Sequence, residues 1–257
     1  MERLKRGIYR LIYGTTKLVY PKTELVGLEN LPQEPCLIVS NHAQMNGPIV
    51  GELYFPGKRY IWCASEMMNR KEVPAYAYRD FWSRKPRSVR WFYKLLSYVI
   101  APVSDLVFNL ADTIPVYRDK RVIITFRQTV ERLSQGANVI IFPEHDKPHN
   151  HILCDFQDGF VSVAKTYHRQ TGERLAFVPM YLAPSLRKMV LGKPVYFDPE
   201  APIREERRRI AEAMMDAITD LAQSLPRHRV VPYLNIPKKD YGYNLIKEVN
   251  SNEEASC

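Results

Sequence analysis

Short apolar runs bounded by Pro, Gly, Ser and Asn alternate along this chain with stretches whose apolar residues return every three or four positions. Cys36 to Val39 reads as a buried strand that Ser40 and Asn41 end, and Gly47-Pro48 supplies a turn before a helix over 48–55. R-Y-I-W-C-A-S, residues 59–65, reads as a second buried strand, and T-I-P-V-Y, residues 113–117, as a short third. Ile123, Phe126, Val130 and Leu133 predict a helix over 120–135 that Gly136 stops. A-N-V-I-I-F-P-E, residues 137–144, is a strongly apolar strand ending in Glu144. Phe156, Phe160, Val163, Ala164 and Tyr167 predict one face of a helix that Gly172 closes. Residues 175–183 predict another buried strand, P-V-Y-F at 194–197 continues the sheet, and Ile203, Ile210, Met214, Ile218, Leu221 and Leu225 mark a long amphipathic helix. This alternation implies an α/β fold with a largely parallel central sheet and helices on both faces.

Two segments stand apart from that rhythm. On a helical wheel, Leu4, Ile8, Leu11, Ile12, Thr15, Leu18 and Val19 share one arc, while Arg3, Arg6, Arg10 and Lys17 take the opposite one. Residues 1–22 therefore read as a basic amphipathic N-terminal segment, either an interfacial membrane anchor or a helix packed on the domain. Between Met67 and Leu110, Trp82, Trp91 and several tyrosines are interleaved with Arg79, Arg84, Lys85, Arg87, Arg90 and Lys94. That composition fits a membrane interface, a stack of single-stranded bases, or a helical pair that packs its aromatic side on the sheet. Pro102, Ser104, Asp105 and Asn109 break the apolar run from Leu95 to Leu110, so a spanning helix is not expected. Residues 23–237 form the main domain, and residues 238–257 read as a weakly ordered polar tail.

A chain of 257 residues can bury a full core. Its formal net charge of +9 favours an anionic partner: nucleic acid, an acidic membrane surface or a phosphorylated substrate. No helix-turn-helix, zinc-finger or RNA-binding aromatic signature accompanies the charge, so nucleic acid is not an expected partner. Cys36, Cys63, Cys154 and Cys257 form no C-x-x-C pair and read as reduced thiols, and the first ten residues lack the pattern of a secretory signal, which together imply a cytoplasmic chain.

Chemistry-bearing residues fall where strands end. His42 follows the first strand, Arg118 follows T-I-P-V-Y, and Glu144 with Lys147 follows V-I-I-F-P. In an open α/β sheet the ligand crevice lies beyond the carboxyl ends of the strands. Histidine titrates near 6.5 and suits general base work, and arginine grips phosphate through two donors. The set fits an enzyme that deprotonates a hydroxyl while holding a phosphate. The run H-D-K-P-H-N-H, with His145, His149 and His151 ahead of Asp155, offers metal-ligating types, but its spacing matches no metal signature and reads as a polar loop; no metal is expected.

N-H-A-Q-M-N-G-P, D-T-I-P-V-Y-R, F-P-E-H-D-K and V-P-M, in this order, resemble the four motif blocks of the glycerolipid acyltransferases, the superfamily of 1-acylglycerol-3-phosphate acyltransferases. The resemblance extends from Val26 to Tyr233. It implies transfer of a fatty acyl group from acyl-CoA or an acyl carrier protein thioester to the hydroxyl of a lysophospholipid or glycerol phosphate. It also implies a peripheral enzyme of phospholipid biosynthesis on the cytoplasmic face of a membrane, with no cofactor beyond the thioester co-substrate. His42 matches the family's base, and Arg118 the arginine that holds the acceptor's phosphate. Glu144 matches the glutamate that helps bind the acceptor, Lys147 replaces an arginine beside it, and Val178-Pro179 matches the block on the acyl-donor side. The family's first block is N-H-x4-D, with the aspartate orienting the histidine; here Gly47 stands in that place. Asp146 is the foremost substitute, ahead of Asp155 and Asp158. The alternatives are an acyltransferase-fold lipid-binding protein with impaired catalysis and, behind it, a thioesterase-like hydrolase.

Overall fold

The structure, a computed structural model, describes residues 2–83 and 85–245. After helix α1 (Glu2–Val19) the chain enters a short strand β1 (Glu24–Val26), then β2 (Cys36–Ser40), α2 (Asn46–Tyr54) and β3 (Arg59–Ala64). A helical excursion follows: α3 (Val73–Ala77), a π-turn over Tyr78–Trp82 and the long α4 (Arg90–Leu110). The chain returns through β4 (Thr113–Val116), α5 (Val122–Ser134) and β5 (Asn138–Ile141), makes the hairpin β6 (Glu144–Pro148) and β7 (Cys154–Phe156), and continues into α6 (Ser162–Thr171). Strands β8 (Ala176–Ala183), β9 (Lys188–Leu191) and β10 (Val195–Tyr196) precede the last long helix, α7 (Ile203–Ser224).

The central sheet runs β1-β9-β8-β2-β5-β3-β4, with β10 paired to β8. Strands β8, β2, β5, β3 and β4 are mutually parallel, while β9 and β10 lie antiparallel to β8. The register Leu37↔Val139 and Ile38↔Ile140 puts alternate residues of neighbouring strands on the same face. Leu37, Val39, Val139 and Ile141 therefore join the core under α5, α6 and α7, while Ile38, Ile140 and Val178 join the core under α2. Both faces are covered, which is why these strands read as continuous apolar runs. On the α2 side, a Cβ at Gly51 would lie 3.3 Å from both Ile140 and Ile61, so the helix sits close to the sheet.

Several elements differ from the sequence expectation. Phe156 ends β7 and Phe160 lies in a single 3-10 turn, so the helix expected from Phe156 begins only at Ser162. P-V-Y-F does extend the sheet, but antiparallel to β8. Helix α4 runs through Pro102 without a break and is long and apolar enough to cross a membrane by length and composition. Pro102 is tolerated because the adjoining face is anchored: Ser97, Ala101 and Ser104 are buried, and the Ser104 hydroxyl donates to the Met67 carbonyl at 2.8 Å. The aromatic side of this region does not pack wholly on the sheet. Trp82 and Phe81 pack beside the small cluster of Val73, Ala77 and Ala101, whereas Trp91 is 70% exposed and Phe92, Leu95, Tyr98, Val99 and Val103 also face outward.

Helix α1 forms over the predicted segment but buries none of its residues, and it is tethered through Tyr9, whose hydroxyl donates to Glu52 at 3.3 Å. At the other end, within the expected polar tail, residues 238–245 are mostly exposed but Asn244 anchors them to the domain. Asn244 is fully buried; its amide donates to the carbonyls of Ala222 and Leu225 at the end of α7, and its oxygen accepts the His228 N–H. The rest of the expected tail, 246–257, lies outside the described residues, as does Cys257.

Candidate active site

His42 leaves β2 on a turn in which two consecutive non-glycine residues, Ala43 and Gln44, have left-handed backbone angles of φ 46° and 55°. Such conformations cost about 1–3 kcal/mol each and persist where the surroundings fix them. Here Asn46 holds the Ala43 carbonyl through its backbone and side-chain N–H groups at 3.1 and 2.8 Å, the Gly47 N–H takes the His42 carbonyl at 3.1 Å, and Gln44 reaches across to the Leu234 carbonyl at 3.1 Å. The turn directs the His42 ring between two aromatics. Phe142, just after β5, meets it edge-on with centroids 5.2 Å apart, and Tyr233 meets it edge-on at 5.7 Å.

The ring's Nδ1 is enclosed and makes no hydrogen bond of normal geometry. Of the two ring nitrogens, Nδ1 is therefore closed to any ligand. Burial lowers the His42 pKa to about 4, against the opposing pull of the Gln44 and His42 backbone, so the ring is neutral throughout the physiological range.

The absent aspartate has a steric explanation. A Cβ at position 47 would lie 2.6 Å from the His42 carbonyl oxygen and 2.7 Å from Cε1 of Phe142, closer than real side chains approach. Phe142 occupies the space that a carboxylate at 47 would need. Asp146 makes no hydrogen bond to His42. It is highly exposed at the outer edge of the β6–β7 hairpin, where it faces His145 at 3.6 Å. Asp155 faces His145 and Lys147, and Asp158 is paired with Arg207 at 2.5 Å.

Glu144 departs from the role suggested by the resemblance. Its carboxylate is turned inward, 6% exposed, with one oxygen accepting the His42 backbone N–H at 2.5 Å and the other the Cys154 N–H at 2.9 Å. It ties the histidine turn to the hairpin and presents nothing to an acceptor. Burial raises its pKa to about 7, against the two N–H donors. A folded-state value above the unfolded one means that this group's stability is complete below about 4.5 and is lost as pH rises through 7. Between pH 5 and 8 the wild type is expected to lose roughly 2–3 kcal/mol through this group. Glu144→Gln should flatten that loss, and urea unfolding at the two pH values measures it.

Arg118 is exposed just beyond β4. Burial pushes the Tyr76 and Tyr233 hydroxyls up in pKa and the Arg118 charge draws both back, so the guanidinium lies within electrostatic range of the two hydroxyls. Its neighbour Arg121 takes Asp119, leaving Arg118 without an ion-pair partner among the described residues. Lys147 is also exposed but is turned to Asp155 at 3.7 Å. Val178 and Pro179 are buried in the middle of β8, in register with Ile38 and Val39, and have no surface to offer a donor. The three loop histidines part company: His145 faces Asp146 and Asp155, His151 bonds the Asn244 carbonyl at 3.1 Å, and His149 uses its backbone N–H on Leu153. Among the described residues no cluster of three or more His, Cys, Asp or Glu is placed to hold a metal.

The model of the family described as Acyltransferase matches residues 22–183, which carry β1 through β8 and include His42, Arg118 and Glu144. The chain belongs to the acyltransferase family. No curated protein matches it. Among solved structures it is similar to the crystal structure of the 1-acyl-sn-glycerophosphate (LPA) acyltransferase PlsC from Thermotoga maritima, with 16% identity, a TM-score of 0.47, and coverage of 88% of this chain and 84% of that one. Phe142 and Tyr233 are the residues against the His42 ring that sequence reasoning misses. The only signal for Tyr233 is its place at the end of the resembling stretch.

Proposed function

We propose that this acyltransferase moves a fatty acyl group from acyl-CoA or an acyl carrier protein thioester to the hydroxyl of a lysophospholipid or glycerol phosphate, in phospholipid biosynthesis. The observation that carries the reading is His42: a neutral imidazole, closed at Nδ1, at the carboxyl end of a parallel strand, inside the family-matched residues. The acceptor hydroxyl gives its proton to Nε2 as its oxygen attacks the thioester carbonyl. The C–O bond forms, the C–S bond breaks, and the imidazolium returns the proton to the leaving thiolate. A ring of low pKa is a weak base for the first step and a strong acid for the last. Arg118, with no ion-pair partner among the described residues, supports a phosphate-bearing acceptor.

The reaction takes place, on this reading, at the cytoplasmic face of an anionic membrane. Helix α1 exposes Leu4, Leu11, Leu18 and Val19, and α4 exposes Trp91, Leu95, Tyr98 and Val99 along one stripe, with Arg87, Arg90 and Lys94 beside it. Apolar stripes edged by cations suit the headgroup boundary, and the packed Ser97, Ala101 and Ser104 face argues that α4 lies along the surface rather than across it. A second reading, a lipid-binding protein of impaired catalysis, is favoured by the missing side-chain partner at Nδ1.

One experiment separates the two. Purified protein is offered acyl-CoA and acyl carrier protein thioesters against glycerol phosphate in solution and a panel of lysophospholipids in anionic vesicles. Product in at least one pairing is expected, and none in any pairing would leave only lipid binding. In the same assay, Trp91→Ser with Leu95→Ser and Val99→Ser should reduce vesicle sedimentation and turnover of vesicle substrates several-fold while sparing any turnover of glycerol phosphate. Undiminished sedimentation would overturn the membrane reading.

A further inference from the structure

The His42 ring is held without a carboxylate, and one of the two groups that hold it comes from outside the family-matched residues. Tyr233 belongs to the segment after α7, which crosses the histidine turn and is fastened at several points. Gln44 donates to the Leu234 carbonyl at 3.1 Å, Asn235 donates to the Asp80 carbonyl at 3.1 Å, and the Val230 N–H takes the Gly242 carbonyl at 3.0 Å. Further back, buried His228 accepts the Tyr181 hydroxyl at its Nε2 at 2.9 Å and bonds the Pro226 carbonyl through Nδ1 at 2.8 Å. The segment is thus a strap with fixed ends, and Tyr233 is the side chain it lays against His42.

We propose that Tyr233, together with Phe142, is the positioning residue that orients His42 in place of the family's aspartate, and that the strap is a working part of the active site. Three observations converge on it. Position 47 has no room for a side chain because Phe142 and the His42 carbonyl fill it. The enclosed Nδ1 makes no hydrogen bond of normal geometry and meets no side-chain partner, only the nearby backbone of Gln44 and His42, so no carboxylate fixes the ring plane. The two rings meet the imidazole edge-on, at interplanar angles of 64° and 84°, and restrict its rotation by contact. The titratable and charged groups around the ring are Tyr233 on the strap, Glu144 on the backbone of the same turn, and, within electrostatic range of Tyr233, Arg118, Asp80 and Asp146.

The inference rests on the reading of His42 as the base, so its test includes a measurement that needs no turnover. The C2 proton of His42 is followed by NMR titration, assigned by its loss in His42→Gln, in the wild type, Tyr233→Phe and Tyr233→Ala. Tyr233→Phe keeps the ring and should keep both the titration midpoint and kcat. Tyr233→Ala should raise the midpoint toward the ordinary value of about 6.5. It should also lower kcat on the order of 10²-fold, the cost of a misplaced catalytic group, with KM for the acyl donor little changed. An unchanged midpoint in Tyr233→Ala overturns the proposal, as does an equal loss in Tyr233→Phe, which would give the task to the hydroxyl. If no variant and no wild type turns over substrate yet the midpoint moves as described, the acyl-transfer reading fails and the positioning of His42 stands.

Discussion

Exchange of His42 for glutamine is expected to lower acyl transfer by roughly 10²–10⁴-fold in kcat, the usual contribution of a positioned general base. Glutamine fills similar space between Phe142 and Tyr233 and leaves the backbone N–H bond to Glu144 intact, so the fold should survive. It cannot take the hydroxyl proton. The wild-type pH profile adds a second signature. A general base must be neutral, and burial lowers the His42 pKa to about 4. The acid limb of kcat/KM should therefore lie near 4, well below the position of an ordinary histidine at about 6.5. An acid limb at the ordinary position would mean that the ring is far less enclosed than its contacts with Phe142 and Tyr233 imply.

Restoring the family's aspartate by Gly47→Asp is expected to inactivate the protein rather than to improve it. The first atom of the new side chain would meet the His42 carbonyl at 2.6 Å and Phe142 at 2.7 Å. Over-packing of this kind costs about 1–3 kcal/mol. The carboxylate would be buried without a donor to receive it, and an uncompensated buried charge costs roughly 3–5 kcal/mol. Gly47→Ala isolates the steric part. Denaturant midpoints for the two variants separate the contributions, and the turnover rate of Gly47→Asp measures the effect on catalysis. A stable and faster Gly47→Asp would show that Phe142 swings aside and that glycine alone limits the site.

The sheet is legible in the sequence because its central strands are buried on both faces, so Cys36 to Val39, V-I-I and L-A-F-V-P-M-Y-L-A stand out as uninterrupted apolar runs. The hairpin is not legible. Its first strand, E-H-D-K-P, carries no alternation, since it pairs only with the three-residue β7 and faces solvent along most of its length. Asp146 stands close to Glu144 in sequence, which suggests a shared site; the strand instead carries Asp146 away from the buried Glu144 and out into solvent. Phe156 and Phe160 fall four apart and imitate a helix face, although one ends a strand and the other lies in a 3-10 turn. His42 is legible from its place at a strand end. Its ring contacts are not, because Phe142 looks like one more apolar residue of a strand and Tyr233 comes from far along the chain.

The Gln44–Leu234 bond joins residues 190 positions apart. During synthesis the histidine turn leaves the ribosome long before the strap that covers it, and such long-range closures are the slow ones in folding. Chains still being made therefore carry a histidine whose surroundings are unfinished. On the reading of His42 as the base, the site is assembled only once the strap has docked, which ties the onset of activity to that closure.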